Sequence, residues 1–495
     1  MIEVLHDLLD RAAEEAPDRP AVSQGPDVLT YRELREISER LAGWLTCAGV
    51  RRGDRVVVAL PVDVLVPALL YACSRIGAVF VVLRDELPPV TVAHVLDDCK
   101  PVLLLTDDEA AAELALEREI PLRRLGDVRV RAHSAEPEPA DPPLSVDPVC
   151  LIYTSGSTGM PKAVVSLHSN VVFAAQAIQS QLAYRADDVV YCALPLAFDY
   201  GMYQIFLCAL ARAELRLATP GGSGQRLLAE LVESGATVLP AVPPLGANLA
   251  KLLARRPEPK PPLRLLTNTG SAFPAQTLEE LRERLPDLHV QLMFGLTECK
   301  RAAIMPKDED LRRPGACGRA LPGTEIFVVD ERGKRLPAGE VGEIVVRGPH
   351  VMAGYWRRPE LTAERFPRAE GLFPELHTGD YGSLDEDGYL FFAGRRDDLY
   401  KENGFRVSTI EVEAAARRVP GVETAAVVPP QSGEGGAVLL VTGDLEAEDV
   451  LRLLREQLED VKVPGRCLVV PDLPVTSSGK VDRRELQSLA GVGSG

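Results

Sequence analysis

The sequence predicts an α/β protein with parallel sheets, followed by a β-rich stretch and a separate small C-terminal domain. Three observations carry this. Short apolar runs alternate with helical patterns through the first 300 or so residues. From Thr324 the runs are instead separated by turn signals such as Asp330-Glu331-Arg332-Gly333 and Asp385-Glu386-Asp387-Gly388, which predicts antiparallel strands, a barrel or small sandwich. A polar stretch, Arg395-Arg396-Asp397-Asp398, then precedes a last section of about 100 residues.

In chain order, Thr30 to Gly49 reads as an amphipathic helix, with Leu34, Ile37, Leu41 and Leu45 at helical spacing. Arg55–Leu60, Ala78–Leu83 and Pro101–Thr106 read as buried strands, with a helix at Ala68–Ile76. The proline-rich, acidic Ala135–Pro143 reads as a solvated connector before a strand at Val149–Tyr153. The strand rhythm resumes at Val189–Leu194, Ala236–Val242 and Leu263–Thr267. Ile326–Val329, Glu343–Val346 and Tyr389–Phe392 are the antiparallel candidates. The last section reads as a helix near Ser408–Val419, a strand near Thr424–Val428 and a helix near Ala447–Leu458.

Composition excludes several classes. The 495 residues carry a net charge of −17, which disfavours nucleic acid and anionic lipid as partners. Nine cysteines form no CxxC pair, and most sit in apolar runs, as small buried hydrophobes do. The N-terminus lacks a secretion signal, and no apolar run reaches membrane-spanning length. The expectation is a reduced, cytoplasmic, multi-domain α/β protein.

The strongest local signal is Tyr153-Thr154-Ser155-Gly156-Ser157-Thr158-Gly159-Met160-Pro161-Lys162, directly after an apolar run. Glycines let backbone N–H groups approach phosphate, and four hydroxyls in five residues with a terminal lysine suit a polyphosphate. It is not the GxxxxGK[ST] pattern. A flexible Ser/Gly linker is the competing reading, but this segment is not repetitive.

With this loop, six further motifs recur in order: Leu29-Thr30-Tyr31-Arg32-Glu33-Leu34, Phe294-Gly295-Leu296-Thr297-Glu298, Gly342-Glu343-Ile344 with Gly354-Tyr355-Trp356, His377-Thr378-Gly379-Asp380, Gly394-Arg395-Arg396-Asp397 and Pro474-Val475-Thr476-Ser477-Ser478-Gly479-Lys480. Together they resemble the adenylate-forming superfamily of acyl-CoA synthetases, luciferases and nonribosomal peptide synthetase adenylation domains. The resemblance implies an N-terminal core of two α/β sheet subdomains plus a β-barrel-like subdomain at 1–396, and a mobile α+β lid at 397–495. It implies that a carboxylate is joined to the α-phosphate of ATP, pyrophosphate leaves, and the acyl group passes to a thiol. Charge repulsion and positioning dominate such a barrier.

The resemblance also implies residue roles. Thr154, Ser155, Gly156, Ser157, Thr158, Gly159 and Lys162 would hold the phosphates. Phe294, Gly295 and Thr297 would form the adenine site, and Glu298 would bind Mg2+, a hard cation that prefers oxygen. Asp380 and Arg395 would take the ribose, and Lys480 would offset charge between carboxylate and α-phosphate. Thr154, Glu298 and Lys480 are the expected catalytic residues, and Asp397 is the expected hinge, with a plain exposed linker as its alternative. The presence of Thr158, Glu298, Asp380 and Lys480 argues against an inactive nucleotide-binding paralogue.

Substrate choice rests on Phe198-Asp199-Tyr200-Gly201. Asp199 suits a substrate ammonium, as in amino-acid-activating relatives; the alternative is an N-cap on the following helix. Gly201 departs from the amino-acid pattern Phe-Asp-x-Ser. Aligned by motif, the pocket walls are Phe198, Tyr200, Tyr203, Leu245, Thr267, Thr269, Gly270, Met293 and Arg301. Arg301 suits a second carboxylate, or is a surface arginine beside Lys300. The expected substrate is a small amino acid, β-amino or dicarboxylic, with an acyl- or aryl-CoA ligase as the alternative activity. No Gly-Gly-x-Ser motif follows Lys480 in the remaining 15 residues, so transfer to a separate phosphopantetheinylated carrier protein, or to CoA, is expected.

Overall fold

The computed structural model describes residues 2–84, 87–136, 141–154, 161–256, 258–369, 373–395, 399–402, 405–430, 436–458, 462–474 and 481–491. The chain is α/β throughout and forms two compact units. One comprises Met1–Ile326 and Val345–His377; the other comprises Phe327–Ile344 and Thr378–Gly495.

In the first unit the helix Tyr31–Cys47 begins with a capping box. Thr30 Oγ1 accepts from Glu33 N–H, and the Glu33 carboxylate accepts from Thr30 N–H at 2.8 Å. A cap of this kind is worth about 1 kcal/mol. The face Leu34, Ile37, Leu41 and Leu45 is buried, as its spacing requires. Tyr31 anchors the helix through its hydroxyl, which lies 2.6 Å from Ala213 O and 2.8 Å from Cys208 O.

Two large sheets organise this unit. In the first, Arg55–Ala59 pairs in parallel with Val79–Val82 on one side and Leu103–Thr106 on the other. Val56, Val57 and Val58 are fully buried, as a parallel sheet covered on both faces demands. Val79–Val82 continues to Pro148–Thr154 in parallel, and from there the pairing turns antiparallel, through Lys162–Leu167 to Gly354–Tyr355. In the second sheet Pro20–Gln24, Glu214–Leu217, Val189–Cys192, Val238–Ala241, Leu265–Asn268 and His289–Phe294 are neighbours in that order, all parallel. Short antiparallel strands close both of its edges.

The second unit includes Phe327–Ile344 and residues 378–395 together with the C-terminal section. The C-terminal part of Phe373–Leu384 pairs antiparallel with Leu390–Arg395, from Asp380↔Arg395 to Leu384↔Leu390. The helix Thr409–Ala416, capped by Ser408, packs against Leu390–Arg395. Beyond it, Val422–Val428 pairs antiparallel with Val438–Gly443, which pairs in parallel with Arg466–Val469. Residues 396–398, which include the expected hinge Asp397, lie outside the described residues. Among the described residues, no helix is long and apolar enough to cross a membrane.

Candidate functional site

The phosphate-loop motif joins two antiparallel strands. Pro148–Thr154 and Lys162–Leu167 pair up to Thr154↔Lys162, where the Thr154 hydroxyl stands 3.5 Å from Lys162 O. Ser155, Gly156, Ser157, Thr158 and Gly159 lie outside the described residues. Both flanks are tied to the helix Pro89–Cys99. The Tyr153 hydroxyl donates to Asp98 at 2.8 Å, and His94 Nε2–H donates to Pro161 O at 2.8 Å.

The Phe294–Glu298 motif follows the strand His289–Phe294. Phe294 is 9% exposed. Gly295 is required sterically: a Cβ there would lie 2.0 Å from Lys300 O. The chain then turns tightly, with Cys299 and Lys300 N–H both donating to Leu296 O and Lys300 at φ +63°. This turn presents Glu298, whose Oε1 accepts the Tyr355 hydroxyl at 2.7 Å and lies 3.9 Å from Lys162 Nζ. The structure therefore brings together one lysine from the exit of the phosphate loop and one carboxylate from the second motif. A mostly buried carboxylate with lone pairs to spare fits a hard divalent cation that completes its shell with phosphate and water.

The acyl-pocket residues form a second cluster. The helix Asp199–Ala211 has Phe198 at its N-cap and no side-chain cap bond. Asp199 is thus the first helical residue, and the N-cap alternative is corrected. Its Oδ2 instead accepts from Arg301 Nη1 at 3.2 Å. Arg301 is only 3% exposed, which overturns its surface alternative. Its guanidinium lies 4.7 Å from the Tyr200 ring centroid, and the Tyr200 hydroxyl shares a 2.8 Å hydrogen bond with Thr267 Oγ1. Sequence reasoning missed Lys300, which is 0% exposed, donates to Thr297 O at 3.0 Å and stands 5.8 Å from the Tyr203 ring centroid. Burial pushes its ammonium below the usual lysine range, and Asp199 opposes that shift. No composition signal marks this lysine, because its burial follows from the left-handed turn.

The other expected walls divide. Tyr203, Leu245, Thr269 and Met293 are buried, whereas Gly270 is exposed at φ +87° and Phe198 is 50% exposed. Among the described residues, Thr269 Oγ1, the Tyr203 hydroxyl and Arg301 Nε are buried with no hydrogen-bond partner. Such atoms call for a ligand or water. In the second unit, Asp380 is buried and paired in register with Arg395, whose Nε is 3.4 Å from Asp380 Oδ1. Lys480 lies outside the described residues.

Comparison with known proteins decides the family. The AMP-binding enzyme family matches residues 9–356, and the AMP-binding enzyme C-terminal domain matches 411–480. The chain belongs to the AMP-binding enzyme family. It is an adenylate-forming acid–thiol ligase that uses ATP. The crystal structure of VinN is 41% identical and covers 79% of this chain and 98% of its own, with a TM-score of 0.74; VinN has also been solved in complex with L-aspartate. Feruloyl-CoA synthase of an Amycolatopsis species is 32% identical, covering 97% of this chain and 98% of that enzyme. The Delta-poly-L-ornithine synthetase of Acinetobacter baumannii is 31% identical, but this AMP-binding enzyme spans only 37% of its length.

Proposed function

We propose that this enzyme activates a small amino acid carrying a second carboxylate and passes it to the phosphopantetheine thiol of a separate carrier protein. The observation that carries the reading is the ion pair between Asp199 and the buried Arg301, beside the buried Lys300. Buried charges persist only when paired, and this cluster holds one carboxylate against two cations. An ammonium on Asp199 and a second carboxylate on Arg301 would complete both groups. VinN, solved with L-aspartate, supports an amino dicarboxylate, of α- or β-type.

The substrate carboxylate oxygen attacks the α-phosphorus of ATP, the bond to the β-phosphate oxygen breaks, and pyrophosphate leaves. Thr154, Lys162 and the hydroxyls of the phosphate-binding loop would hold the β- and γ-phosphates, and Phe294 would stack on adenine. Glu298 would hold Mg2+. That ion, when bound, neutralises phosphate charge. Asp380, Arg395 and Lys480 take the ribose and α-phosphate roles that the family resemblance implies, with Asp397 as hinge. In the second half-reaction the thiolate sulfur attacks the acyl carbon and AMP departs. Relatives that build peptides from amino acids support a carrier thiol as acceptor.

ATP–pyrophosphate exchange across α-amino, β-amino and amine-free acids tests the reading. Exchange with an amino dicarboxylate, lost in Asp199→Asn, is the expected result. The similarity to feruloyl-CoA synthase over nearly its whole length favours a second reading, an acyl- or aryl-CoA ligase. CoA thioester formation from an amine-free acid, unchanged in Asp199→Asn, would establish that reading instead.

A further inference from the structure

Tyr355 stands between the two segments expected to meet the phosphates, and its backbone is fixed there. The two-residue strand Gly354–Tyr355 pairs antiparallel with the strand leaving the phosphate-binding loop, Gly354 opposite Val165 and Tyr355 opposite Val164. Ala353 N–H donates to Val165 O at 3.0 Å and Trp356 N–H to Ala163 O at 2.9 Å. On its other side, Tyr355 N–H donates to Thr362 Oγ1 at 3.0 Å. Gly354, at φ +123°, admits Thr362 this closely, since a Cβ would lie 2.3 Å from Thr362 Cγ2. Phe366 meets the Tyr355 ring edge-on at 5.4 Å.

From this fixed base the side chain reaches Glu298 and Lys162, with Arg365 also beside its hydroxyl. Its hydroxyl donates to Glu298 Oε1 at 2.7 Å, and Lys162 Nζ lies 3.9 Å from its ring centroid. The same ammonium is 3.9 Å from Glu298 Oε1, beyond direct hydrogen-bond contact. Tyr355 thus touches both groups. A carboxylate only accepts, so the hydroxyl proton is committed to Glu298.

We propose that Tyr355 is a positioning residue for the metal–nucleotide complex: its hydroxyl holds the Glu298 carboxylate for the divalent cation, while its ring holds Lys162 for phosphate. Without the hydroxyl, the carboxylate would be drawn onto the Lys162 ammonium, and each group would quench the other. This rests on the reading of Glu298 as the metal-holding carboxylate.

The test is calorimetric binding of ATP to the full-length protein with and without Mg2+, with Mn2+ binding followed by electron paramagnetic resonance, in Tyr355→Phe, Tyr355→Leu and Glu298→Gln. Tyr355→Phe keeps the ring and should weaken metal–ATP binding about fivefold or more while leaving metal-free ATP binding within about twofold, as expected for one hydrogen bond to a charged group. Tyr355→Leu should weaken metal-free binding as well, because Lys162 loses its platform. Unchanged metal–ATP affinity in Tyr355→Phe, or unchanged metal-free affinity in a folded Tyr355→Leu, overturns the proposal. If Glu298→Gln keeps the full Mg2+ dependence, the reading of Glu298 itself fails, whatever the tyrosine variants do.

Discussion

The acyl pocket and the phosphate edge handle polar groups in opposite ways. At the proposed acyl pocket, Lys300 and Arg301 are buried, and Asp199 pairs directly with Arg301 across 102 residues of sequence. At the proposed phosphate edge, Lys162 and Glu298 are similarly accessible but stand 3.9 Å apart, with Tyr355 touching both. The first arrangement discriminates, because a ligand must complete a set of buried charges or leave it short. The second suits a highly charged ligand such as the ATP that the family uses.

The largest effect belongs to the directly paired Asp199 and Arg301. Asp199→Asn leaves Arg301 and Lys300 without their counter-charge, and amino-acid-dependent exchange should fall about 10³-fold, roughly 4 kcal/mol. Activity on an amine-free acid should fall far less. Equal losses on both substrates would mean that Asp199 serves only the fold.

Two histidines test the converse case, buried polar groups with incomplete pairing. His168 accepts Leu5 N–H on Nδ1 but has no partner on Nε2, and neither ring nitrogen of His350 has a partner among the described residues. Burial pushes both down to about 4; for His168, nearby His6 adds to this, and Asp147 and Asp7 oppose it. A base with its folded pKa lowered binds fewer protons than in the unfolded chain. Stability should therefore be full above pH ~6.5 and decline towards about pH 4. Replacing His350→Leu should recover about 2 kcal/mol of that acid loss, read from urea melts at both pH values. An unchanged pH slope would remove this assignment.

The phosphate edge should respond more weakly to single changes. Glu298→Gln is expected to cut exchange about 10²-fold and to raise the Mg2+ concentration needed for half-maximal rate. The smallest effect is at the pocket wall. Thr267→Val removes the partner of the Tyr200 hydroxyl and should cost about 1 kcal/mol of stability, with a raised KM for the amino acid and little change in KM for ATP. A larger effect on the ATP term would blur the separation between the two regions.

What the sequence made legible follows the same divide. The helix Tyr31–Cys47 carries its cap, spacing and buried face within 18 residues, so periodicity and capping chemistry read it directly. The buried strands Arg55–Ala59 and Val79–Val82 are likewise local apolar runs. The long strand Phe373–Leu384 is not legible, because the buried positions of its alternation are Leu376, Thr378, Asp380 and Gly382, of which Leu376 alone is a large apolar residue. At the candidate site, motif residues such as Glu298 and Lys162 stand out in sequence. The competing roles of Asp199 and Arg301 could be separated only by tertiary contact. Tyr355 carries no such signal, since a two-residue strand has no periodicity and its hydroxyl's partner is 57 residues away.

The most direct measurement is ATP–pyrophosphate exchange with aspartate, a β-amino dicarboxylate and succinate, compared between the natural protein and Asp199→Asn. The account predicts exchange with an amino dicarboxylate, little with succinate, and loss of the preference in the variant. Exchange supported equally by succinate, and untouched by Asp199→Asn, would contradict it.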